Sequence, residues 1–138
     1  MIKTINIYQN TKDLSDVLYN VNLDQIDSVP NYSINQILFK GINNIDNDSI
    51  QKVLLALCQK LALQGFCTIE ILNMKSVCSS YLSGSITDIN MYELLRDKIN
   101  YVSLQTIKNI IEADNSLTIA GIDISQYTMS IKIERVKL

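Results

Sequence analysis

The sequence predicts an α/β domain with a mostly parallel sheet, flanked by helices and closed by a C-terminal antiparallel hairpin. Three observations carry this. Residues 34–73 read strand, helix, strand with short connections, the order and length of a right-handed βαβ crossover that sets two parallel strands in one sheet. SLTIAGIDIS and YTMSIKIERV read as two strands joined by a short polar turn around Ser125 and Gln126. Near the N-terminus, Ile5 and Ile7 alternate with Asn6 and Tyr8, as in a first buried strand. At 138 residues and 47% hydrophobic content, one sizeable core is expected, so residues 1–138 are read as a single domain.

In order along the chain, KTINIY (3–8) is a β-favouring alternation, followed by a turn through Gln9, Asn10, Thr11 and Lys12. In DLSDVLYNVNLD, Leu14, Val17 and Leu18 have helix-compatible spacing while LYNVNL alternates as a strand. Periodicity leaves both open, although Asn20 and Asn22 disfavour a long helix. Asp24 to Tyr32 holds the single proline, Pro30, among Asp, Ser and Asn, and reads as a loop. SINQILFKGI is a strand ending at Gly41, and INNIDND a turn rich in side chains that bond their own backbone. Asp48 with Gln51 resembles a capping box, opening a helical stripe of Ile50, Val53, Leu54, Leu57, Cys58 and Leu61. Gly65, free of a Cβ clash in the left-handed conformation, is expected to stop that helix before the strand FCTIEILNM. KSVCSSYLSG is a short helix or loop broken at Gly84. Residues 88–98 and 103–113 can both be helical, the second N-capped by Ser103. In the last strand Tyr127, Met129, Ile131 and Ile133 face one way and Thr128, Ser130, Lys132 and Glu134 the other, which suits a hairpin at a sheet edge with one wet face.

Composition excludes several chemistries. The chain has no histidine, which removes the commonest general base, the usual metal ligand and every Ser/His or Cys/His nucleophile. Net charge is −2 with both signs scattered, and the basic cluster Lys132, Arg135, Lys137 is short, so nucleic acid is not indicated as a partner. The acidic residues Asp13, Asp16, Asp24, Asp27, Asp46 and Asp48 lack the spacing of a calcium loop and read as solvated turns. Glu70 is expected to pair with Lys40 on a neighbouring strand. Cys58, Cys67 and Cys78 are odd in number, lack CxxC spacing and read as reduced core residues of an intracellular protein. With neither a signal-like apolar run nor a bilayer-length segment, no membrane is expected. The location expected is the cytoplasm.

Read together, these segments resemble the class I S-adenosylmethionine-dependent methyltransferases over nearly the whole chain. VNLD (21–24) is similar to the end of that family's second strand, where an acidic residue holds the ribose hydroxyls of the cofactor; the resemblance gives Asp24 this role. SINQILFKGINNI resembles the fourth strand and the motif after it, LCQKLALQGFCTIEILNM the next helix, glycine turn and strand. GSITDINMYELL and SLQTIKNIIEAD are similar to the segment before the final hairpin in compact members, several of them encoded by tailed phages. The resemblance thus implies a Rossmann-like methyltransferase sheet. If its cofactor site survives, it would be formed by Asp24, Asn10, Gln9 and Asn43.

The departures decide the expected function. The family's first strand enters a glycine-rich turn because the backbone must approach the cofactor more closely than a Cβ permits. Here that turn is Gln9-Asn10-Thr11-Lys12, and the first glycine of the chain is Gly41. The acid and histidine after the fourth strand are replaced by Asn43 and Asn44, which cannot exchange a proton near neutral pH. A catalytically degenerate domain is therefore expected: a binding or structural module with no cofactor, working through a protein partner or self-association. Two alternatives stand beside it: a small active methyltransferase using S-adenosylmethionine, and a phage virion or assembly protein, which would be virion-associated. Side chains of Gln9, Asn10 and Tyr32 filling the cleft beyond the first two strands would favour the module. An open cleft there would favour the enzyme.

Overall fold

The computed structural model describes residues 3–96, 98 and 100–138. Six strands, β1 (Thr4–Tyr8), β2 (Tyr19–Asn22), β3 (Ile34–Phe39), β4 (Leu61–Leu72), β5 (Leu117–Ile124) and β6 (Thr128–Arg135), form one sheet in the order β2-β1-β3-β4-β6-β5. The first four are mutually parallel, whereas β6 runs antiparallel to both β4 and β5. Four helices accompany them: α1 (Ile50–Gln59), α2 (Met74–Leu82), α3 (Asp88–Leu95) and α4 (Leu104–Glu112). Among the described residues no helix is long and apolar enough to cross a membrane.

Strand alternation builds the core on one face of the sheet. Register aligns Ile5, Ile37, Cys67 and Ile133 in one row and Ile7, Phe39, Ile69 and Ile131 in the next, and all are buried. Ile50, Leu54, Leu57 and Cys58 of α1 and Ile107 and Ile111 of α4, at helical spacing, join the same cluster. Each large apolar side chain so buried contributes about 1.5–3 kcal/mol. On the opposite face Gln36, Leu38, Phe66, Thr68 and Glu70 stay partly exposed, and the Lys132 ammonium sits 4.0 Å above the Phe66 ring.

Of the two readings left open after β1, the strand is what forms, as β2 within LYNVNL. Only a short 3-10 turn, Thr11–Asp13, precedes β2. Asn6, 2% exposed in the middle of β1, explains why: its Nδ2 donates to Asp13 O and to Asn20 Oδ1, both at 2.9 Å. Asn20 in turn accepts from Ser15 N and donates to Ser15 O, each at 2.9 Å. Two strand amides thus hold the crossover down by side-chain bonds that replace a helical ladder.

Several boundaries differ from expectation. Asp48 does not cap α1: Asp46 caps a 3-10 turn at Asn47–Ser49, its Oδ1 accepting from Asp48 N at 3.0 Å, and α1 begins at Ile50 behind it. Nor does α1 reach Leu61 or stop at Gly65. It ends at Gln59, because Lys60 O accepts from Ser33 N and Ile34 N, each at 2.9 Å, and starts β4 against β3. Gly65 lies inside β4, where an added Cβ would stand 2.9–3.0 Å from three carbonyl oxygens. The left-handed conformation falls on Gln64, at φ 64. The β5–β6 hairpin forms the edge of the sheet as expected, with β5 outermost. Lys40 and Glu70 form no ion pair, Glu70 standing opposite Ser130 of β6. Cys78 is exposed on α2, while Cys58 and Cys67 are buried. Ser103 caps α4 as expected, its Oγ accepting from Thr106 N at 3.1 Å. α3 ends at Leu95, and Asp97, in the predicted 88–98 helix, lies outside the described residues.

Candidate functional site

The carboxyl ends of β1 and β2 and the turn after β3 surround a cleft of about 530 Å³, completed by one side of α1. In open α/β sheets this is where ligands sit, beyond the ends of the parallel strands. β1 delivers Gln9 to its wall, and β2 runs directly into the 3-10 turn Leu23–Ser28, which delivers Asp24 and Asp27. That turn forms because Asn22 Oδ1 accepts from Asp24 N at 2.9 Å, while buried Leu23 and Ile26 anchor it to the core. Asn44, Asp46 and Lys52 complete the polar lining. Three carboxylates against one ammonium make the cleft acidic, suited to a cationic or donor-rich guest.

The four residues singled out from sequence are separated by the fold. Gln9 and Asp24 line the cleft. Asn10 does not: it caps the 3-10 turn, accepting from Lys12 N at 3.1 Å. Asn43 turns inward at 3% exposure, its Oδ1 accepting from Leu72 N at 3.0 Å and its Nδ2 donating to Asn100 O at 3.3 Å. Its own carbonyl accepts from Asn100 N at 3.1 Å. Asn43 therefore ties the end of β4 to the chain entering α4, and has no atom to spare for a ligand. Its neighbour Asn44 faces the cleft wall, with a buried Oδ1 that has no hydrogen-bond partner. Tyr32 is nowhere near: its ring lies over Arg135, at the end of the sheet where β3 and β4 begin. The cleft is thus open, with Gln9 alone of the three expected plugs on its wall.

The turn after β1 leaves little for an anionic group. Lys12 N goes to Asn10 Oδ1, Asp13 N to Asn10 O at 3.0 Å and Leu14 N to Thr11 O at 3.3 Å. No glycine opens the backbone there, and no helix follows to aim free N–H groups at the cleft. Tested against S-adenosylmethionine, the ribose end fits, since Asp24 presents an exposed carboxylate beyond β2. The methionine end does not. Sequence reading missed Lys52 and Asn44 as wall residues, because α1 offered only its apolar stripe as a signal and the Asn43-Asn44 pair gave no hint of which would point inward.

No protein-family model and no curated protein matches the sequence. Solved structures do match the fold. A SAM-dependent methyltransferase from Archaeoglobus fulgidus is similar over 95% of this chain and 75% of its own, at 14% identity and TM-score 0.65. A putative type 11 methyltransferase from Sulfolobus solfataricus is similar over 99% and 72%, at 13% identity and TM-score 0.60. The plantazolicin methyltransferase BpumL, crystallised with a monoazolic desmethylPZN analogue and SAH, is similar over 98% and 67%, at 11% identity and TM-score 0.67.

Proposed function

We propose that this chain, whose fold is that of the class I methyltransferases, transfers no methyl group and works as a binding or structural module. Fold carries no function by itself, so the site must decide. The observation that carries the reading is the turn after β1: it is free of glycine, spends the N–H groups of Lys12, Asp13 and Leu14 on its own acceptors, and leads into a 3-10 turn and no α-helix. Asn43, which stands where the family's acid would stand, is consumed in structural bonds. No histidine lines the cleft, whose titratable lining is Asp24, Asp27, Asp46 and Lys52.

The module reading also draws on α3, which buries none of its residues. Leu82, Ile89 and Tyr92 are 87%, 74% and 64% exposed on the α2–α3 pair, an unusual concentration for a solvated surface. A second copy is the occupant that fits. Asp88 in its first turn accepts from Tyr81 OH at 2.6 Å and Arg96 just past its last pairs with Glu93 at 3.3 Å, bonds that an antiparallel pair of copies would extend to opposite charges across the contact. Sedimentation of wild type against Ile89→Glu tests this: loss of a dimer in the variant supports it, and a monomer in both refutes it.

Thermal unfolding with and without S-adenosylmethionine tests the lost cofactor. A ligand at a hundred times its dissociation constant adds about 2.7 kcal/mol of stability. The module reading expects no shift, and a saturable rise in midpoint would overturn it. A second reading, a small active methyltransferase, is favoured by the open cleft with Asp24 on its wall, since methyl transfer depends mainly on alignment. Product formation from a labelled methyl donor would establish it.

A further inference from the structure

We propose that a second cavity, which shares Lys52 of α1 with the cleft and reaches the end of the sheet where β3 and β4 begin, holds an oxyanion, a phosphate or carboxylate group, between Arg135 and Lys52 beside the ring of Tyr32. Arg135 closes β6 at 5% exposure. Its Nη2 donates to Cys58 O at 2.8 Å, and its Nη1 to Ser116 Oγ at 3.1 Å and Lys137 O at 3.2 Å, while its Nε has no partner. Every acceptor is neutral. Among the described residues no carboxylate reaches Arg135 as an ion pair, and Asp114 touches it only through the Ser116 hydroxyl, which donates to Asp114 Oδ1 at 2.6 Å. A buried charge with no direct ion pair is costly, and the one carboxylate that acts on Arg135, Asp114, is held a hydroxyl away.

A second buried cation occupies the same corner. Lys60, 6% exposed, donates from Nζ to Asn31 Oδ1 at 2.8 Å. The next residue, Tyr32, bonds Gln59 O through its backbone N–H at 3.1 Å and sets its ring 5.1 Å from the Arg135 guanidinium carbon. Tyr32 does so at φ 59, a conformation that strains a bulky residue and tends to be kept at functional sites. Tyr32 is 46% exposed, and the Arg135 Nε behind it is buried without a partner.

Tyr32, Gln59, Ser116 and Arg135 line a cavity of about 490 Å³, which the exposed Lys52 and the carboxylate of Asp114 also border. Two cations on its lining, Arg135 and Lys52, thus face one carboxylate in a chain whose net charge is −2. The unpartnered Nε–H of Arg135 offers a charge-assisted donor to an anionic oxygen, and Lys52 adds a point charge at the mouth.

Isothermal titration of the intact chain with sodium phosphate, and separately with sodium acetate, each against sodium chloride at equal ionic strength, tests the site. Saturable binding of either oxyanion, absent with chloride, is expected; the tighter of the two identifies the group as phosphate or carboxylate. Lys52→Gln alters an exposed residue and preserves the fold, and Arg135→Lys keeps the charge while losing the Nε–H. Each should weaken binding about tenfold or more. Responses no larger than chloride's, or saturable binding left unchanged by both substitutions, would overturn the proposal.

Discussion

Replacing Asn43 with alanine separates a structural from a ligand-binding role for this residue. The substitution removes the acceptor of the buried Leu72 N–H at 3.0 Å and the donor to Asn100 O at 3.3 Å. The Leu72 N–H lies in the interior, so leaving it unmatched costs about 1–3 kcal/mol. The longer, partly buried bond to Asn100 adds about 0.5–1. The backbone bond from Asn100 N to Asn43 O survives, since it needs no side chain. A loss of about 1.5–4 kcal/mol follows, a large fraction of the roughly 5–15 kcal/mol of a typical domain. Urea unfolding followed by circular dichroism reads it as a lower midpoint with unchanged slope. A loss below about 0.5 kcal/mol, the size of an ordinary surface change, would refute the clamp and return Asn43 to the candidates for ligand binding.

Other expectations follow from single side chains. Gly65→Ala should cost roughly 1–3 kcal/mol, because its Cβ would meet the carbonyl oxygens of Ala62, Asn35 and Ile34, none of which can yield freely; chemical denaturation showing wild-type stability would contradict that crowding. The Cys67 thiol is held well above its ordinary pKa by its hydrogen bond with Cys58 and by burial. Ellman's reagent should therefore titrate the exposed Cys78 at once and Cys58 and Cys67 only on unfolding, and rapid reaction of all three would oppose this packing. The Asp114 carboxyl lies below its ordinary 3.8, held there first by the Ser116 hydroxyl, then by the Ser116 N–H and the Arg135 charge. With the native value depressed, its contribution to stability is complete above pH 3.8 and is lost as pH falls through the native pKa. Ser116→Ala should raise the Asp114 midpoint in a carbon-13 carboxyl titration, and an unmoved midpoint would remove Ser116 as the cause.

Much of the sheet is legible in the sequence because a two-residue period has one physical meaning. The alternation of Ile5 and Ile7, and of Ile131 and Ile133, predicts the rows that the register assembles. The α1–β4 junction is not legible: Leu57, Cys58 and Leu61 fit a helical face equally well, and only the pairing of Lys60 O with residues 33 and 34 ends the helix. The crossover after β1 is hidden for a related reason. Asn6 and Asn20 look like poor strand residues until each amide is seen to hold the chain from Asp13 to Ser15. In the candidate site Asp24 and Gln9 are predicted from a resemblance and lie on one cleft, but which of Asn43 and Asn44 faces inward depends on Leu72 and Asn100, both distant in sequence. Arg135 gives no sequence signal of burial, since a basic residue near a C-terminus ordinarily lies in solvent.

The central claim, a methyltransferase fold kept without its cofactor, is tested most directly by isothermal titration of the intact chain with S-adenosylmethionine. The account predicts no saturable heat, with wild type and Asp24→Ala indistinguishable. Micromolar binding by wild type that Asp24→Ala abolishes would contradict it and make the open cleft a working cofactor site.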